Sequence, residues 1–314
     1  MRCDIVMPVW NKIKLTEQCL AGIFQHTRGE YSVIIIDNAS DEPAAEYMRD
    51  VSRRHPDKIK LIRNSHNAGF TKAVNQGIRA SSSGYVCILN NDTVVSDDWL
   101  GEMIRIAESS PEIGIVNPSS NFGAKKPRNI TYEQYAAGRT KDKRGQLVET
   151  AGPVGFCYLI KREVIDKIGL MDERFNPGYF EDTEYAIRAR NAGYKSVFAK
   201  GAFVFHFEHA SFKKRGFNAL FKKSEEKFYA MHKRPERILY VLTRTAPEDF
   251  KARVREFLDK GAWVSVYLKK SSPKIELPNH TYARAFYFED LFFNTKVFLK
   301  ILFKKKKFTK IFRE

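Results

Sequence analysis

The sequence predicts an α/β protein with a mostly parallel sheet covered by helices on both faces. Its 314 residues are 43% hydrophobic and 13% aromatic, enough to fill a substantial core. Short apolar, β-branched runs alternate with longer helical patterns through the first part of the chain, as in repeated βαβ units. Predicted strands cover residues 4–9, 32–36, 60–62, 85–89 and 114–116, and predicted helices cover 14–26, 43–54, 70–80 and 97–109.

Polar residues follow the first four predicted strands, at the points where the strands end. In a parallel sheet the carboxyl ends meet at one edge, where ligands of such folds bind. One such side chain is ordinary turn chemistry, but four tips together favour a binding site. The tips are Pro8-Val9-Trp10-Asn11, Asp37-Asn38, Asn64 with Asn67-Ala68-Gly69, and Asn90-Asn91-Asp92.

The segment after the fifth strand is polar and weakly periodic over residues 118–150, which predicts a functional lid or a disordered insert. A strand near 151–160, a short helix near 162–168 and strands at 196–199 and 202–207 then complete the first region. Between them, Pro177 and Gly178 break the chain, so that Glu181 and Asp182 begin a helix that Gly193 ends.

Beyond residue 212 the pattern changes, and we expect three parts: a domain over 1–212, a basic helical connector over 213–236 and a small α/β appendage over 237–314. The appendage contains one βαβ unit (237–243, 247–260 and 262–268) and a further strand near 285–288. It is either a small appended domain or the opening of a second doubly wound domain. It lacks a glycine-rich phosphate loop, which disfavours a second nucleotide site.

The net charge of +17 is concentrated in the C-terminal third, where 26 Lys and Arg face 11 Asp and Glu over residues 213–314. No nucleic-acid-binding motif accompanies it, so an anionic membrane surface is the better partner. Residues 291–312 place Lys296, Lys300, Lys304 and Lys307 along one side of a predicted amphipathic helix. The alternative is a helix docked on its own domain with solvated lysines.

The four cysteines lie far apart in apolar runs and indicate buried free thiols in a reducing compartment. We find no signal peptide and no apolar stretch long enough to span a bilayer. The expected location is therefore the cytoplasm, with peripheral binding at the inner face of the cell membrane as an option.

Asp92 is unusual because it ends a strand that is apolar on both sides. A carboxylate in a partly desolvated cleft needs a cation or hydrogen bonds, and Mg²⁺ or Mn²⁺ commonly takes one or two carboxylates plus phosphate oxygens. The alternative is an Asx turn before the helix that begins near Ser96.

Six motifs in order resemble the inverting, nucleotide-sugar-dependent glycosyltransferases of family 2, which have the GT-A fold. They are IVMPVWN, IIIDNASDE, NSHNAGFTKAVNQGI, ILNNDT, GFCYLIKREVIDKIGLMDERF and GYFEDTEYAIRARNAGYK. The resemblance covers roughly residues 3–212.

The resemblance implies a donor site and a metal site. The nucleotide sugar, a UDP- or dTDP-sugar, would contact Pro8, Val9, Trp10, Asp37, Asn67, Gly69, Asn91 and Glu181. Asp92 ends the family's DxD motif and would bind Mn²⁺ or Mg²⁺ together with His206. Asn90 replaces the first carboxylate of that motif, and His209 has no counterpart that we can assign.

Asp182 matches the catalytic aspartate of the family's ED motif, and the start of a helix favours its ionised form. As general base it would give transfer with inversion to a glycan or lipid-linked glycan acceptor in cell-surface polysaccharide synthesis. Simple charge stabilisation of the helix start, with a Glu184–Arg188 pair, is the structural alternative.

Two other functions stay open. A sugar-phosphate nucleotidyltransferase shares the carboxylate-bound metal, but normally has a glycine-rich, basic loop after the first strand. A non-catalytic carbohydrate-binding protein would have no need for Asp182 in the same cleft as Asp92.

Overall fold

The computed structural model describes residues 2–207 and 214–314, which fall into two compact units. Unit 1 comprises the described residues of Met1–Leu147 and Gly152–Met231, and unit 2 those of Val148–Ala151 and His232–Glu314. The strands are β1 (Cys3–Val9), β2 (Tyr31–Asp37), β3 (Ile59–Arg63), β4 (Tyr85–Leu89), β5 (Thr93–Val95), β6 (Ile113–Ser119), β7 (Leu147–Thr150), β8 (Cys157–Lys161), β9 (Lys195–His206), β10 (Arg237–Leu242), β11 (Trp263–Lys269), β12 (Ala283–Phe288) and β13 (Lys310–Arg313).

The α-helices are α1 (Ile13–His26), α2 (Glu42–Arg54), α3 (Phe70–Ala80), α4 (Trp99–Glu108), α5 (Tyr132–Thr140), α6 (Arg162–Ile168), α7 (Glu181–Asn191), α8 (Lys214–Met231), α9 (Phe250–Asp259) and α10 (Phe293–Leu302), with one 3-10 turn (Glu173–Phe175). The strands and helices expected before residue 117 all form, with ends shifted by at most three residues.

Unit 1 is built on a sheet with the strand order β3-β2-β1-β4-β8-β6-β9-β5. The first four strands in this order are mutually parallel, so their carboxyl ends share one edge. Both faces are buried: Val33 and Ile35 of β2 pack in one apolar cluster, while Ile34 and Ile36 pack in the other. This two-sided burial explains why the strands are continuously apolar. The mixed α/β class expected from the sequence is confirmed.

Residues 118–150, predicted to be a functional lid or a disordered insert, are not one long loop. They contain α5, whose start is fixed by a capping box between Thr131 and Gln134. Only Ala136 of this helix is buried, so the segment has almost no apolar periodicity to reveal it. Likewise, the two strands expected at 196–199 and 202–207 are one strand, β9, with a register shift opposite Pro118 and Ser119.

Unit 2 contains a second sheet, in the order β12-β11-β10-β13, with all strands parallel. The helix expected over 291–312 ends at Leu302, because four consecutive lysines follow at 304–307 and Ile311 then pairs with Leu239 of β10. Like charges spaced three and four residues apart disfavour continuing a helix. The three-part division at residues 212 and 236 stays a prediction.

All four cysteines are buried and free, as expected. Among the described residues, none of the helices combines the length and the apolar character that crossing a bilayer requires.

Candidate active site

A cavity of about 450 Å³ opens in unit 1 beyond the carboxyl ends of the strands. Three groups of residues form it: the tip of β4, the turn before β8, and the loop that enters α7. His206 at the end of β9 and Phe221 of α8 complete the wall. The lining consists of Phe70, Asn90, Val154, Gly155, Phe156, Gly178, Tyr179, Phe180, Glu181, Asp182, Thr183, His206 and Phe221.

The loop that enters α7 has a strained backbone. Tyr179 and Phe180 have φ angles of 71° and 70°, in the left-handed region that bulky side chains seldom adopt. Ring contacts from α8 compensate: Phe180 packs on Phe228 with centroids 5.0 Å apart, and Tyr179 on Phe221 at 5.7 Å. Ser224 of α8 also donates a hydrogen bond to the Gly178 carbonyl (3.1 Å). Helix α8 therefore holds the turn that presents Glu181 and Asp182.

Glu181 and Asp182 are adjacent carboxyl groups in the first turn of α7. Burial, and then the charge of Asp182, raise the pKa of Glu181 to about 8. Burial also raises the pKa of Asp182, although hydrogen bonds from the Thr183 backbone and hydroxyl and from the Gly155 backbone oppose this. The raised pKa of Glu181 favours its protonated form at neutral pH, and the hydrogen bonds to Asp182 favour the ionised form of that carboxyl group.

Glu181 is only 5% exposed, and its Oε2 atom has no hydrogen-bond partner among the described residues. Gly155 lies directly opposite Asp182, since a Cβ atom at this position would be 3.1 Å from Asp182 Oδ2. The pair thus combines an unsatisfied oxygen with a close backbone contact that any side chain would crowd. Glu184 differs, because it forms the expected ion pair with Arg188 (2.8 Å).

Asp92 lies beside His206, with Oδ1 3.3 Å from Nε2. Strands β5 and β9 create this contact, because their antiparallel register pairs Thr93 with His206. The His206 ring stacks on Phe156 at a centroid distance of 4.9 Å, which fixes its orientation. Because His206 lines the cavity, the Asp92–His206 pair and Asp182 meet at one cleft.

These residues fit a divalent cation that also has phosphate ligands. The Asn90 Oδ1 atom is buried without a hydrogen-bond partner in the described parts of the chain, and Asn90 lines the same cavity as His206. No group of three or more His, Cys, Asp or Glu side chains suited to a metal occurs within residues 2–207 and 214–314. A carboxylate, an imidazole and an amide oxygen would therefore leave positions for phosphate oxygens, the arrangement typical of nucleotide-bound Mg²⁺ or Mn²⁺.

Asp37 lies at the neighbouring tip, at the end of β2, and is 1% exposed. It forms an ion pair with Arg63 and accepts a hydrogen bond from the Ser40 backbone (2.9 Å). Arg63 is a site residue that sequence reasoning missed. It is the last residue of β3 and stands opposite Asp37 in the parallel register, which only the strand order reveals.

Asn67 and Gly69 shape the third tip. Asn67 Oδ1 accepts a hydrogen bond from Asn38 (2.8 Å), which joins the loops after β2 and β3. Gly69 has a φ of 88°, and a Cβ there would lie 2.3 Å from the Asn176 side chain. Only glycine fits this approach, which brings the α3 start close to the segment before α7.

The remaining predicted positions, Pro8, Val9, Trp10 and Asn91, are not among the residues that line the cavity. Pro8 and Val9 end β1, and Trp10 beyond them is 45% exposed. Asn91 is buried and donates a hydrogen bond to Thr16 of α1 (2.9 Å), and it is absent from the cavity lining. His209 lies outside the described residues. Phe156 and Phe221 also line the cavity, although neither was a predicted site residue.

A mostly parallel sheet, a cleft beyond its carboxyl edge and acidic groups from separate tips define an α/β protein of the GT-A type. Solved structures agree with this fold: the mannosyltransferase PcManGT from Pyrobaculum calidifontis, in complex with GDP-Man and Mn²⁺, superimposes with a TM-score of 0.55 at 20% identity, over 74% of this chain and 65% of that one. GalNAc-T7 with UDP, GalNAc and Mn²⁺ gives 0.54 at 15% identity, over 73% of this chain and 50% of that one.

The family model described as glycosyl transferase family 2 matches residues 4–169. The chain belongs to this family, which confirms the resemblance seen in the sequence. Curated relatives include a poly-β-1,6-N-acetyl-D-glucosamine synthase of Staphylococcus epidermidis, 27% identical over 54% of this chain and 42% of that protein. Glycosyltransferase AglE of Haloferax volcanii is 22% identical over 62% of this chain and 64% of that protein.

A longer relative, an uncharacterized protein of Sinorhizobium fredii, is 24% identical over 66% of this chain. The chain covers 24% of that protein, and it covers less than two thirds of the two curated relatives above.

Proposed function

We propose that this protein is an inverting glycosyltransferase that moves a sugar from a nucleoside-diphosphate sugar to an acceptor hydroxyl. The observation that carries the proposal is the shared cleft: Asp182 at the start of α7 lines the same cavity as His206, which contacts Asp92. Family membership supports the reaction class.

Asp182 acts as the general base. Its carboxylate takes the proton of the acceptor hydroxyl while that oxygen forms a bond to the anomeric carbon of the sugar. The bond between the anomeric carbon and the phosphate oxygen breaks on the opposite side, and a single displacement of this kind inverts the configuration. A pKa raised by burial makes Asp182 a stronger base than an exposed aspartate.

Glu181 has a different role because it holds its proton at neutral pH. A protonated carboxyl group can donate a hydrogen bond to a sugar hydroxyl, and it adds no second negative charge beside the base. We therefore assign Glu181 to sugar binding and Asp182 to catalysis.

Asp92 and His206, with Asn90 beside them, are the residues that would hold Mn²⁺ or Mg²⁺ at the donor diphosphate. The cation supplies positive charge against the negative charge that develops on the departing nucleoside diphosphate. The structures of PcManGT and GalNAc-T7 both contain Mn²⁺, which supports this assignment.

The donor end of the cleft begins at Asp37. The ion pair with Arg63 and the buried position of Asp37 fix the edge against which the base and ribose of the nucleotide would lie. Backbone groups of Pro8, Val9 and Trp10, together with Asn67 and Gly69, would complete this part of the site. We propose a UDP- or dTDP-sugar as donor.

The acceptor is proposed to be a glycan or a lipid-linked glycan in cell-surface polysaccharide synthesis, because one relative is a poly-N-acetylglucosamine synthase. The setting that fits such an acceptor is the cytoplasmic face of a membrane, with the enzyme bound peripherally.

Replacing Asp182 by Asn tests the proposal. Loss of a general base typically costs about 10²- to 10⁴-fold in rate, so we expect kcat to fall by that factor while donor affinity is kept. The assay is the release of nucleoside diphosphate from a panel of nucleotide sugars with Mn²⁺, first with water as acceptor and then with glycans.

The matched control is Glu184→Gln. It removes a carboxylate from the same helical turn, but one that is ion-paired with Arg188. This variant should retain most of the wild-type turnover per folded molecule. Turnover retained by Asp182→Asn would refute the assignment of the base.

A further inference from the structure

Helix α10 has apolar side chains on two opposite faces. Phe293 and Val297 face inward and pack against Leu239 and Tyr267 of the second sheet. On the other side, Phe298 and Leu302 form one row at i, i+4 spacing, and Leu299 and Phe303 form the next row. Phe298 and Leu302 are 56% and 49% exposed, and Leu299 and Phe303 are 44% and 77% exposed. A helix docked on a water-soluble domain normally has polar residues on that outer side.

The outer apolar row extends before the helix begins, because Leu291 is 70% exposed and Phe292 is 68% exposed. Six large apolar side chains are thus exposed within 13 residues of sequence. We define these six as the apolar face of α10. Contiguous exposed apolar surface of this kind marks an interaction site more often than chance exposure.

The charge around this face has one sign. Lys296 and Lys300 lie on one flank of the helix, and Lys304 to Lys307 follow its end. Over residues 291–314 there are eight Lys or Arg and one acidic residue. Burial, together with the charges of Arg237 and Lys300, lowers the pKa of Lys304, which shows how closely these cations are grouped.

We infer that the apolar face of α10 and the lysines beside it dock the protein on an anionic phospholipid bilayer. The inference rests on the proposed membrane setting of the enzyme and deepens it by naming the contact surface. Exposed Phe and Leu side chains enter the boundary between headgroups and acyl chains, while lysines pair with the anionic headgroups.

The helix lies in the plane of the surface. It has ten residues, so its length is about 15 Å, half of what a bilayer core requires. Its inner face remains packed on the second sheet, so only the outer face is available to lipid.

A second copy of the chain fits this surface less well. In a symmetric pair the same patch meets itself, which would bring Lys296, Lys300 and the lysines at 304–307 of both copies together. An anionic bilayer instead supplies both an apolar layer and negative charge.

The test is flotation of the full chain with vesicles of phosphatidylcholine mixed with phosphatidylglycerol, against vesicles of phosphatidylcholine alone. We expect binding to the anionic vesicles and loss of binding at roughly 0.5 M salt. Two variants divide the surface: Phe298→Ser with Leu302→Ser removes apolar contacts, and Lys305→Glu with Lys306→Glu reverses charge.

Each lysine near an anionic surface contributes a factor of about five to partitioning, so the charge variant should bind at least about 30-fold more weakly. The apolar variant should lose at least about tenfold. The matched control is Lys222→Glu with Lys223→Glu, an equal charge change at two exposed adjacent lysines of α8, which should bind nearly as well as the wild type.

Absence of binding to anionic vesicles overturns the inference, and so does equal binding by all variants. A dimer that dissociates in the Phe298→Ser, Leu302→Ser variant, without vesicle binding, would assign the face to a second copy instead. Nucleotide-sugar hydrolysis in solution is measured on the same samples. If it persists in a protein that does not float, the membrane inference alone fails, and the reverse result refutes the transferase proposal alone.

Discussion

Both units contain neighbouring parallel strands whose carboxyl ends share an edge, but the polar groups at the two edges differ. In unit 2 the acidic groups beyond the strands are paired: Glu289 with Lys270 at 2.8 Å, Glu314 with Arg253 at 2.6 Å, and Asp290 with the Ser271 backbone at 3.1 Å. In unit 1, Glu181 Oε2 and Asn90 Oδ1 are buried without partners among the described residues.

This difference distinguishes a shared sheet architecture from a binding site. Ligands of open α/β sheets bind at the carboxyl edge, yet the edge alone does not make a binding site. Buried polar atoms without partners cost free energy, and their presence in a native structure calls for an explanation such as a missing ligand. The edge in unit 1 retains such atoms on Glu181 and Asn90, whereas the acidic groups named in unit 2 are ion-paired or hydrogen-bonded to their own neighbours.

The largest expected effect follows from removing the charge of Asp92. We expect Asp92→Asn to weaken Mn²⁺-dependent binding of the nucleoside diphosphate by at least about 100-fold. The substitution removes the carboxylate ligand and leaves the His206 imidazole. Calorimetric titration with and without Mn²⁺ measures this. Asp290→Asn makes the same change at the edge in unit 2 and should leave the affinity unchanged. Equal affinities of the wild type and Asp92→Asn would refute the proposed metal site at this edge.

The second effect concerns stability and pH. The pKa of Glu181 is raised in the folded state, so the folded protein holds a proton that the unfolded chain releases above its ordinary pKa. The contribution of Glu181 to stability therefore falls as pH rises from about 4.5 to about 8, and levels off above that. Glu181→Gln removes this loss, and we expect its free energy of unfolding to exceed that of the wild type by about 2 kcal/mol or more near pH 8.5.

Urea unfolding near pH 5 and near pH 8.5 checks this expectation. The Glu184→Gln variant still contains Glu181 and should retain the wild-type decline between the two pH values. A Glu181→Gln variant with the same decline as the wild type would mean that Glu181 is ionised across the range, and the two roles assigned to the carboxyl pair would have to be exchanged.

The sequence was sufficient to place the loops after β1 to β4 at one edge of the sheet in unit 1, because this placement does not depend on the order of the strands. Once β1 to β4 are known to be parallel, Asp37, Asn67 and Asp92 must lie along the same edge, whichever strand neighbours which. Pairing between tips is different. Arg63 opposite Asp37 depends on β2 and β3 being adjacent in register, and Asp92 beside His206 depends on β5 and β9 being antiparallel.

The aromatic walls could not be predicted for a related reason. Phe221 reaches the cavity because α8 packs on the loop before α7, where Phe180 contacts both Phe221 and Phe228. In the sequence, 40 residues lie between Phe180 and Phe221. The spacing of apolar residues in α8 indicates a helix but does not reveal which partner it covers. The end of α10 at Leu302 was not predicted either, because the pairing of β13 with β10 is a tertiary contact that the local sequence pattern does not reveal.

The smallest effect sharpens the comparison by adding a charge. Asn90 stands where the family's motif has its first carboxylate. It lines the cavity, and its buried Oδ1 atom has no hydrogen-bond partner among the described residues. We expect Asn90→Asp to raise the affinity for Mn²⁺ in the presence of nucleoside diphosphate by several-fold, up to about tenfold, because a carboxylate binds a hard cation more strongly than an amide oxygen does. Asn91→Asp is the matched control, since it adds the same charge one residue away but on a side chain that donates to Thr16. It should give no gain in Mn²⁺ affinity. If both variants bind Mn²⁺ equally well, the gain reflects net charge at the edge, and the unpaired oxygen of Asn90 is no part of a metal site.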